Sequence, residues 1–280
     1  MKNTVFQDYL KKKAREVDKM LGELLPSSES PPVTLSRAIR YSALAPGKRI
    51  RPILCLASCR AVGGKEERAM NTACSLEMIH AYSLIHDDLP AMDDDDFRRG
   101  KPSLHKTFGE GTAVLAGDAL LTLAFAAVAG DDGLSVEQCR KIIRELARAA
   151  GWRGMVGGQQ ADLEAEGKEI KSEDLKFIHE RKTAALLTAA AICGAVAGNA
   201  GPSRIEALRN YGRNIGLAFQ IRDDILDVVG TREEMGKTLG KDETAKKATY
   251  PAVLGMEAAR KKLEEATGEA LSALEGLGNE

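Results

Sequence analysis

Along nearly the whole chain, apolar residues recur at the three- and four-residue spacing of α-helices, interrupted only by short turn signals. The breaks are Pro26–Pro32 (PSSESPP), Gly63-Gly64, Gly130–Gly133 and Gly198–Pro202, and helices are predicted between them. The least charged stretch, Thr183–Ser203, consists largely of Ala and Gly and includes an Asn. It is too weakly apolar for a membrane span and reads as a buried helix, so no membrane insertion is expected. Lys11, Lys12 and Lys13 have no apolar run behind them, so no secretory signal is expected either. With no fixed-period repeat and no linker-like segment, the pattern predicts a single all-α domain over residues 1–280.

Composition agrees with that pattern. Hydrophobic residues make up 44% of the chain but aromatics only 4%, with nine Pro, which argues against an all-β protein. Lys and Arg number 40 against 41 Asp and Glu, a net charge of −1, so no nucleic-acid partner is expected. The five Cys form no disulfide framework and fit a reducing, cytoplasmic location. Cys55 and Cys59 share a helix face, but no second Cys or His pair completes a zinc site, and they read as small core residues.

The chemistry begins with a local echo: SLIHDDL at Ser83–Leu89 resembles FQIRDDILD at Phe219–Asp227. Asp223 and Asp227 lie one helical turn apart on one face, with Phe219 and Gln220 one turn earlier. Carboxylates stacked in an apolar setting repel unless a cation lies between them. In the first cluster, Asp87 and Asp93 would be roughly 120° apart on an unbroken helix. Pro90 disfavours helix at Leu89, so the helix is predicted to end near Leu89 and the chain to loop, turning Asp93 back towards Asp87. Asp94–Asp96 read as a solvated loop. Oxygen ligands without Cys or His point to a hard cation, Mg²⁺ or Ca²⁺, and the spacing is not that of an EF-hand.

Mg²⁺ commonly binds through one or two carboxylates plus substrate phosphate, and such a site needs basic residues. Three basic runs supply them: Lys48-Arg49-Ile50-Arg51, Arg98-Arg99-Gly100-Lys101, and Lys237, Lys241, Lys246 and Lys247. Together with two Asp clusters, they make a diphosphate-plus-Mg²⁺ site the economical explanation. Gly236-Lys237-Thr238 is not a nucleotide phosphate loop, because the preceding Gly230 has the wrong spacing and no strand leads into it.

With these residues in view, the sequence resembles the trans-isoprenyl diphosphate synthases, and among them the bacterial farnesyl diphosphate synthases. The resemblance is carried by LSRAIRYSALAPGKRIRP (Leu35–Pro52), EMIHAYSLIHDDLPAMDDDDFRRGKPSLH (Glu77–His105) and GGQQADL (Gly157–Leu163). It continues through Lys182-Thr183, GLAFQIRDDILD (Gly216–Asp227) and the Lys237–Pro251 segment, in the family's order. It implies long antiparallel helices around a deep central cavity, the isoprenoid synthase fold, as a homodimer. By resemblance, Asp87, Asp93 and Asp223 would bind three Mg²⁺ on an allylic diphosphate (dimethylallyl or geranyl), with Asp88, Asp224, Asp227 and Asp162 as near neighbours. Arg98, Lys182, Lys237 and Lys247 would hold that allylic diphosphate. Lys48, Arg51, His80 and Arg99 would bind isopentenyl diphosphate, and Thr183 and Gln220 would present oxygens to the developing allyl cation.

The resemblance implies head-to-tail condensation, with the cation shielded from water in an apolar cavity. His80 lies two turns before Asp87, within roughly 20° of the same helix face. Tyr82 stands five residues before Asp87, where the family's farnesyl synthases carry an aromatic, and the two extra residues in the first Asp motif go with it. Farnesyl diphosphate is thus the expected main product, with geranylgeranyl or another chain length as the alternative. Pro46 and Ala184 replace common glycines, and Arg222 stands where an uncharged residue is usual. The sequence ends at Gly276–Glu280, where relatives usually continue into another helix whose basic tail covers the site. A non-catalytic subunit of a heteromeric synthase would typically lose an Asp motif, and both are intact. A terpene cyclase would not need the Lys48, Arg51 and His80 group.

Overall fold

The computed structural model describes residues 2–229 and 249–277. Among them almost everything is helical: α1 (Lys2–Leu24), α2 (Val33–Ala43), α3 (Ile50–Ala61), α4 (Met70–Asp87), α5 (Leu104–Phe108), α6 (Glu110–Ala129) and α7 (Val136–Ala150). There follow α8 (Met155–Ala165), α9 (Ser172–His179), α10 (Ala185–Ala197), α11 (Pro202–Val229), α12 (Tyr250–Leu254) and α13 (Met256–Leu274). The fold class is all-α, and each predicted break falls between helices: α1/α2, α3/α4, α6/α7 and α10/α11. One element was not foreseen, a two-stranded antiparallel hairpin of β1 (Phe97–Arg98) and β2 (Lys101–Pro102). Its two turn residues, Arg99 and Gly100, have φ of 53° and 77°, the left-handed pair that tight hairpin turns require.

The contacts divide the chain into two compact units, one of residues 1–57 and 65–143 and the other of 58–64 and 144–280. In the first, α4 is the central helix. Thr72–Ile79 are buried without interruption, and α1, α2 and α6 pack around it. A helix buried on every side is a core helix, which is why the usual two-faced periodicity is lost here. By length and composition α6 is also apolar enough to cross a membrane. Its inner residues Ala113, Ala116, Leu120 and Ala124 are fully buried, whereas Val114 and Leu115 are exposed.

In the second unit the Ala-rich α10 is buried along its length from Leu186 to Ala197, as its composition predicted. Its small side chains let α11 approach closely. A Cβ on Gly212 would come within 2.7 Å of the Thr188 Cα, and one on Gly216 within 2.6 Å of the Ala184 Cα. A methyl group at either position would force the helices apart. Leu175, Ile221, Ile225, Tyr250 and Ala259 form a further core that ties α9, α12 and α13 to the Asp-bearing end of α11. Cys55 and Cys59, one in each unit, are both fully buried.

Candidate active site

In the first unit, α4 ends at Asp87 with Asp88 as its cap, two residues earlier than predicted. The backbone then folds tightly: Leu89 N donates to His86 O at 3.2 Å, Met92 N to Leu89 O at 2.9 Å and Asp94 N to Leu89 O at 3.2 Å. Asp93 N donates to Asp87 O at 2.8 Å, so the loop returns Asp93 to Asp87. Both acidic residues are half-buried. Asp88, 2% exposed, is bound by Arg98, whose Nε donates to Oδ1 at 2.8 Å and whose Nη2 also contacts that oxygen. Burial, opposed by Arg98, raises the Asp88 pKa above the usual carboxylate value. Asp94 and Asp96 are exposed, as a solvated loop requires, but Asp95 is not. Its Oδ2 accepts from Arg98 Nη2 at 2.9 Å, and it helps hold that side chain.

The basic residues of this unit divide by burial. Lys48 is exposed and Arg51 half-buried, while Arg49 is 2% exposed with φ of 49°. Arg49 donates to Asp18 Oδ1 at 2.7 Å, Glu77 Oε1 at 2.6 Å and Ala45 O at 2.7 Å. Arg99 Nη2 reaches the same Glu77 oxygen at 3.3 Å. Burial and the nearby cations Arg51, Arg99, Arg49 and Arg98 hold the His80 pKa well below the ordinary histidine value, so its ring is neutral at neutral pH. Tyr82 is buried, its ring edge-on to His86 at 5.7 Å between centroids. His86 Nε2 lies 3.1 Å from the Val114 carbonyl of α6.

In the second unit, α9 runs into α10 through a single π-helical turn, Glu180–Ala184, which carries Lys182 and Thr183. Such turns accommodate one extra residue and recur at functional sites. Helix α8 lies directly against this turn, since a Cβ on Gly158 would fall 2.2 Å from the Lys182 backbone nitrogen. Lys182 Nζ pairs with Asp162 Oδ2 at 2.6 Å. Thr183 Oγ1 donates to Gln220 Oε1 at 2.7 Å, and Gln220 Nε2 donates to Asp224 Oδ1 at 2.9 Å. The other Asp224 oxygen accepts from Tyr250 N at 2.9 Å and faces His179 Nε2 at 3.8 Å. Burial lowers the His179 pKa to about 4. Asp223 is half-buried, Asp227 buried and Arg222 exposed, so Arg222 extends to solvent. Lys237, Lys241, Lys246, Lys247 and the Gly236-Lys237-Thr238 segment lie outside the described residues.

These placements separate the carboxylates into two kinds. Asp88 and Asp224 are buried, while Asp87, Asp93 and Asp223 are half-buried and, with Asp227, carry oxygen donors of the kind that suits a hard cation. Among the described residues no group of three or more Cys, His, Asp or Glu side chains forms a metal site. A carboxylate pair suits Mg²⁺, which keeps waters and takes further oxygens from a phosphate. Glu77 and Arg49 stand out only in the structure, because the chain separates Glu77 from Arg49 by 28 residues and from Arg99 by 22.

The polyprenyl synthetase family model matches residues 32–275. The heterodimeric geranylgeranyl pyrophosphate synthase large subunit 2 of Arabidopsis thaliana is 49% identical over 278 residues, covering 98% of this chain and 73% of the plant protein. An FPP/GFPP synthase structure from Zymomonas mobilis superimposes with a TM-score of 0.87 at 36% identity, covering 98% of this chain and 94% of its own. A geranyltransferase from Helicobacter pylori, complexed with magnesium and isoprenyl diphosphate, gives 0.86 at 35% identity, with 96% and 90% covered.

Proposed function

The chain belongs to the polyprenyl synthetase family and is a trans-prenyltransferase of isoprenoid synthesis, and from that premise we propose that it condenses isopentenyl diphosphate with dimethylallyl and longer allylic diphosphates to give mainly geranylgeranyl diphosphate. The geometry that carries the condensation is the turn returning Asp93 to Asp87, followed at once by Arg98 and Arg99 on a rigid hairpin. The product length is supported by the plant geranylgeranyl synthase subunit, 49% identical across nearly the whole chain. Farnesyl diphosphate is the second reading, favoured by Tyr82 and by the name of the Zymomonas mobilis relative.

In this reading Asp87, Asp93 and Asp223 hold Mg²⁺. When bound, the metal neutralises charge developing on the departing diphosphate. Arg98 and Lys182 receive the allylic diphosphate, Asp88 and Asp95 fixing the first cation and Asp162 the second. Lys48, Arg51, His80 and Arg99 receive isopentenyl diphosphate. A neutral His80 offers one N–H donor, leaving the positive charge to the arginines. The Thr183 hydroxyl donates its hydrogen bond to Gln220, and its oxygen lone pairs are left to face an allyl cation. The helix surface at Val114 and Leu115 supports a homodimer, and the buried cysteines suit the cytoplasm.

The test incubates purified protein with Mg²⁺, isopentenyl diphosphate and dimethylallyl, geranyl or farnesyl diphosphate, followed by product chromatography. A twenty-carbon main product is expected. A fifteen-carbon end product would favour the second reading, and absence of elongation unless another subunit is added would make this chain part of a heteromeric synthase. Tyr82→Ala is expected to lengthen the product. An unchanged product would remove Tyr82 as the determinant of length.

A further inference from the structure

One buried carboxylate of the first unit holds two arginines with different duties. Glu77 is 1% exposed, and its Oε1 accepts from Arg49 Nη1 at 2.6 Å and from Arg99 Nη2 at 3.3 Å. Arg49 is fully committed, its other nitrogens held by Asp18 and the Ala45 carbonyl at 2.7 Å each. Arg99 is held more loosely. Its side chain keeps 18% of its surface exposed, and its Nη1 donates to the Ala45 carbonyl at 3.5 Å. The guanidinium lies against the Gly47 backbone, where a Cβ would come within 3.0 Å of Nη1. Arg99 itself sits at the tip of the hairpin with φ of 53°, so the backbone and the far end of the side chain are both constrained.

We propose that Glu77 is a positioning residue for the second substrate: anchored by Arg49, its carboxylate aims the Arg99 guanidinium at the diphosphate of isopentenyl diphosphate. This rests on the assignment of Arg99, His80 and Arg51 to that diphosphate. Four arginines act on His80. In such a crowd Arg99 would be driven towards solvent by like charge unless one fixed anion held it. Glu77 is one turn before His80 on α4, so the helix that carries one diphosphate ligand also sets the direction of another. Holding a cation in its binding pose before substrate arrives reduces the ordering cost of binding, so the effect belongs in the KM for isopentenyl diphosphate.

The test is steady-state kinetics of Glu77→Gln with each substrate varied in turn. The KM for isopentenyl diphosphate is expected to rise about 10-fold or more, with the allylic KM within about twofold of wild type. In an Arg99→Ala background, Glu77→Gln should add less than about a twofold further rise, because the path through Arg99 is already cut. Asp18→Asn, which removes the other ion pair of Arg49 without touching Arg99, should lower the melting temperature but leave the isopentenyl diphosphate KM unchanged. Equal rises in both KM values, a full additional rise without Arg99, or an Asp18→Asn effect on KM matching that of Glu77→Gln would overturn the proposal. Should Glu77→Gln fail to fold, the wild-type protein still decides. The Arg99 Nη2–H resonances, assigned with Arg99→Lys, should show restricted guanidinium rotation before any diphosphate is added, and free rotation would overturn it. Wild-type elongation in the same assay separates the two readings: no elongation overturns the function, whereas elongation with an unmoved KM in Glu77→Gln overturns only the role of Glu77.

Discussion

The segments Ile85–Leu89 and Ile221–Ile225 carry the same Asp-Asp pair after an isoleucine and a basic or imidazole residue, yet the fold completes them differently. In both, the first Asp is half-buried and the second buried, Asp88 at 2% and Asp224 at 3% exposure. Asp88 accepts from Arg98, whereas Asp224 accepts, among the described residues, from the Gln220 amide and the Tyr250 backbone N–H. The additional carboxylate also arrives by different routes: a loop returns Asp93 after Pro90, while an unbroken α11 places Asp227 one turn beyond Asp223. A repeated pair is thus graded in burial, the first residue half-buried and the second buried.

The largest expected effect tests the first residues. Asp87→Ala and Asp223→Ala should each reduce kcat by about 10³-fold or more while leaving the circular dichroism spectrum and melting temperature near wild type. Near-normal turnover in either variant would remove that residue from the metal-binding role. The second residues should then separate the two motifs. Asp88→Asn frees Arg98 from its main partner and should raise the allylic KM by about 10-fold. Asp224→Asn instead weakens the acceptor for Tyr250 and should cost about 1–3 kcal/mol of stability by denaturant unfolding. If both variants changed KM alone, or stability alone, the contrast between the motifs would fail.

The last test is the pH dependence of stability. His179 faces Asp224, and its folded pKa of about 4 lies below the ordinary histidine value of 6.5. Protonation therefore favours the unfolded chain. The stability contribution is complete above pH 6.5 and is lost as pH falls from there towards 4. The full loss is up to about 3 kcal/mol. His179→Gln should flatten the melting temperature over this window relative to wild type, and an identical slope would exclude His179 as its source.

Sequence revealed the helices and both Asp motifs because their signals are local. Pro90 predicts the loop that returns Asp93, and a four-residue spacing predicts that Asp223 and Asp227 share a face. The hairpin was missed because its strands are two residues each, too short to show an alternating pattern. The partners of Arg49, Arg99 and Asp95 were illegible for another reason. Arg49 and Arg99 lie within strongly basic runs that resemble solvated surface, and only tertiary contact shows Glu77 between them. Asp95 belongs to a four-Asp run whose members look alike until Arg98 selects one for burial. The choice between farnesyl and geranylgeranyl products is not local: Tyr82 and the Zymomonas mobilis relative favour one, and the plant relative with higher identity favours the other.

The π turn at Glu180–Ala184 gives α9 and α10 separate rotational phases along what is otherwise one rod. Each helical residue advances the phase by about 100°. The segment before the turn stays in step with Leu175 in the core beside Tyr250, and the segment after it stays in step with the Gly212 and Gly216 face of α11. Thr183, inside the turn, owes its reach to Gln220 to this offset. Its placement is thus a matter of counting as much as of chemistry. A chain one residue shorter here could keep every apolar contact type and still rotate the Thr183 hydroxyl away from its partner.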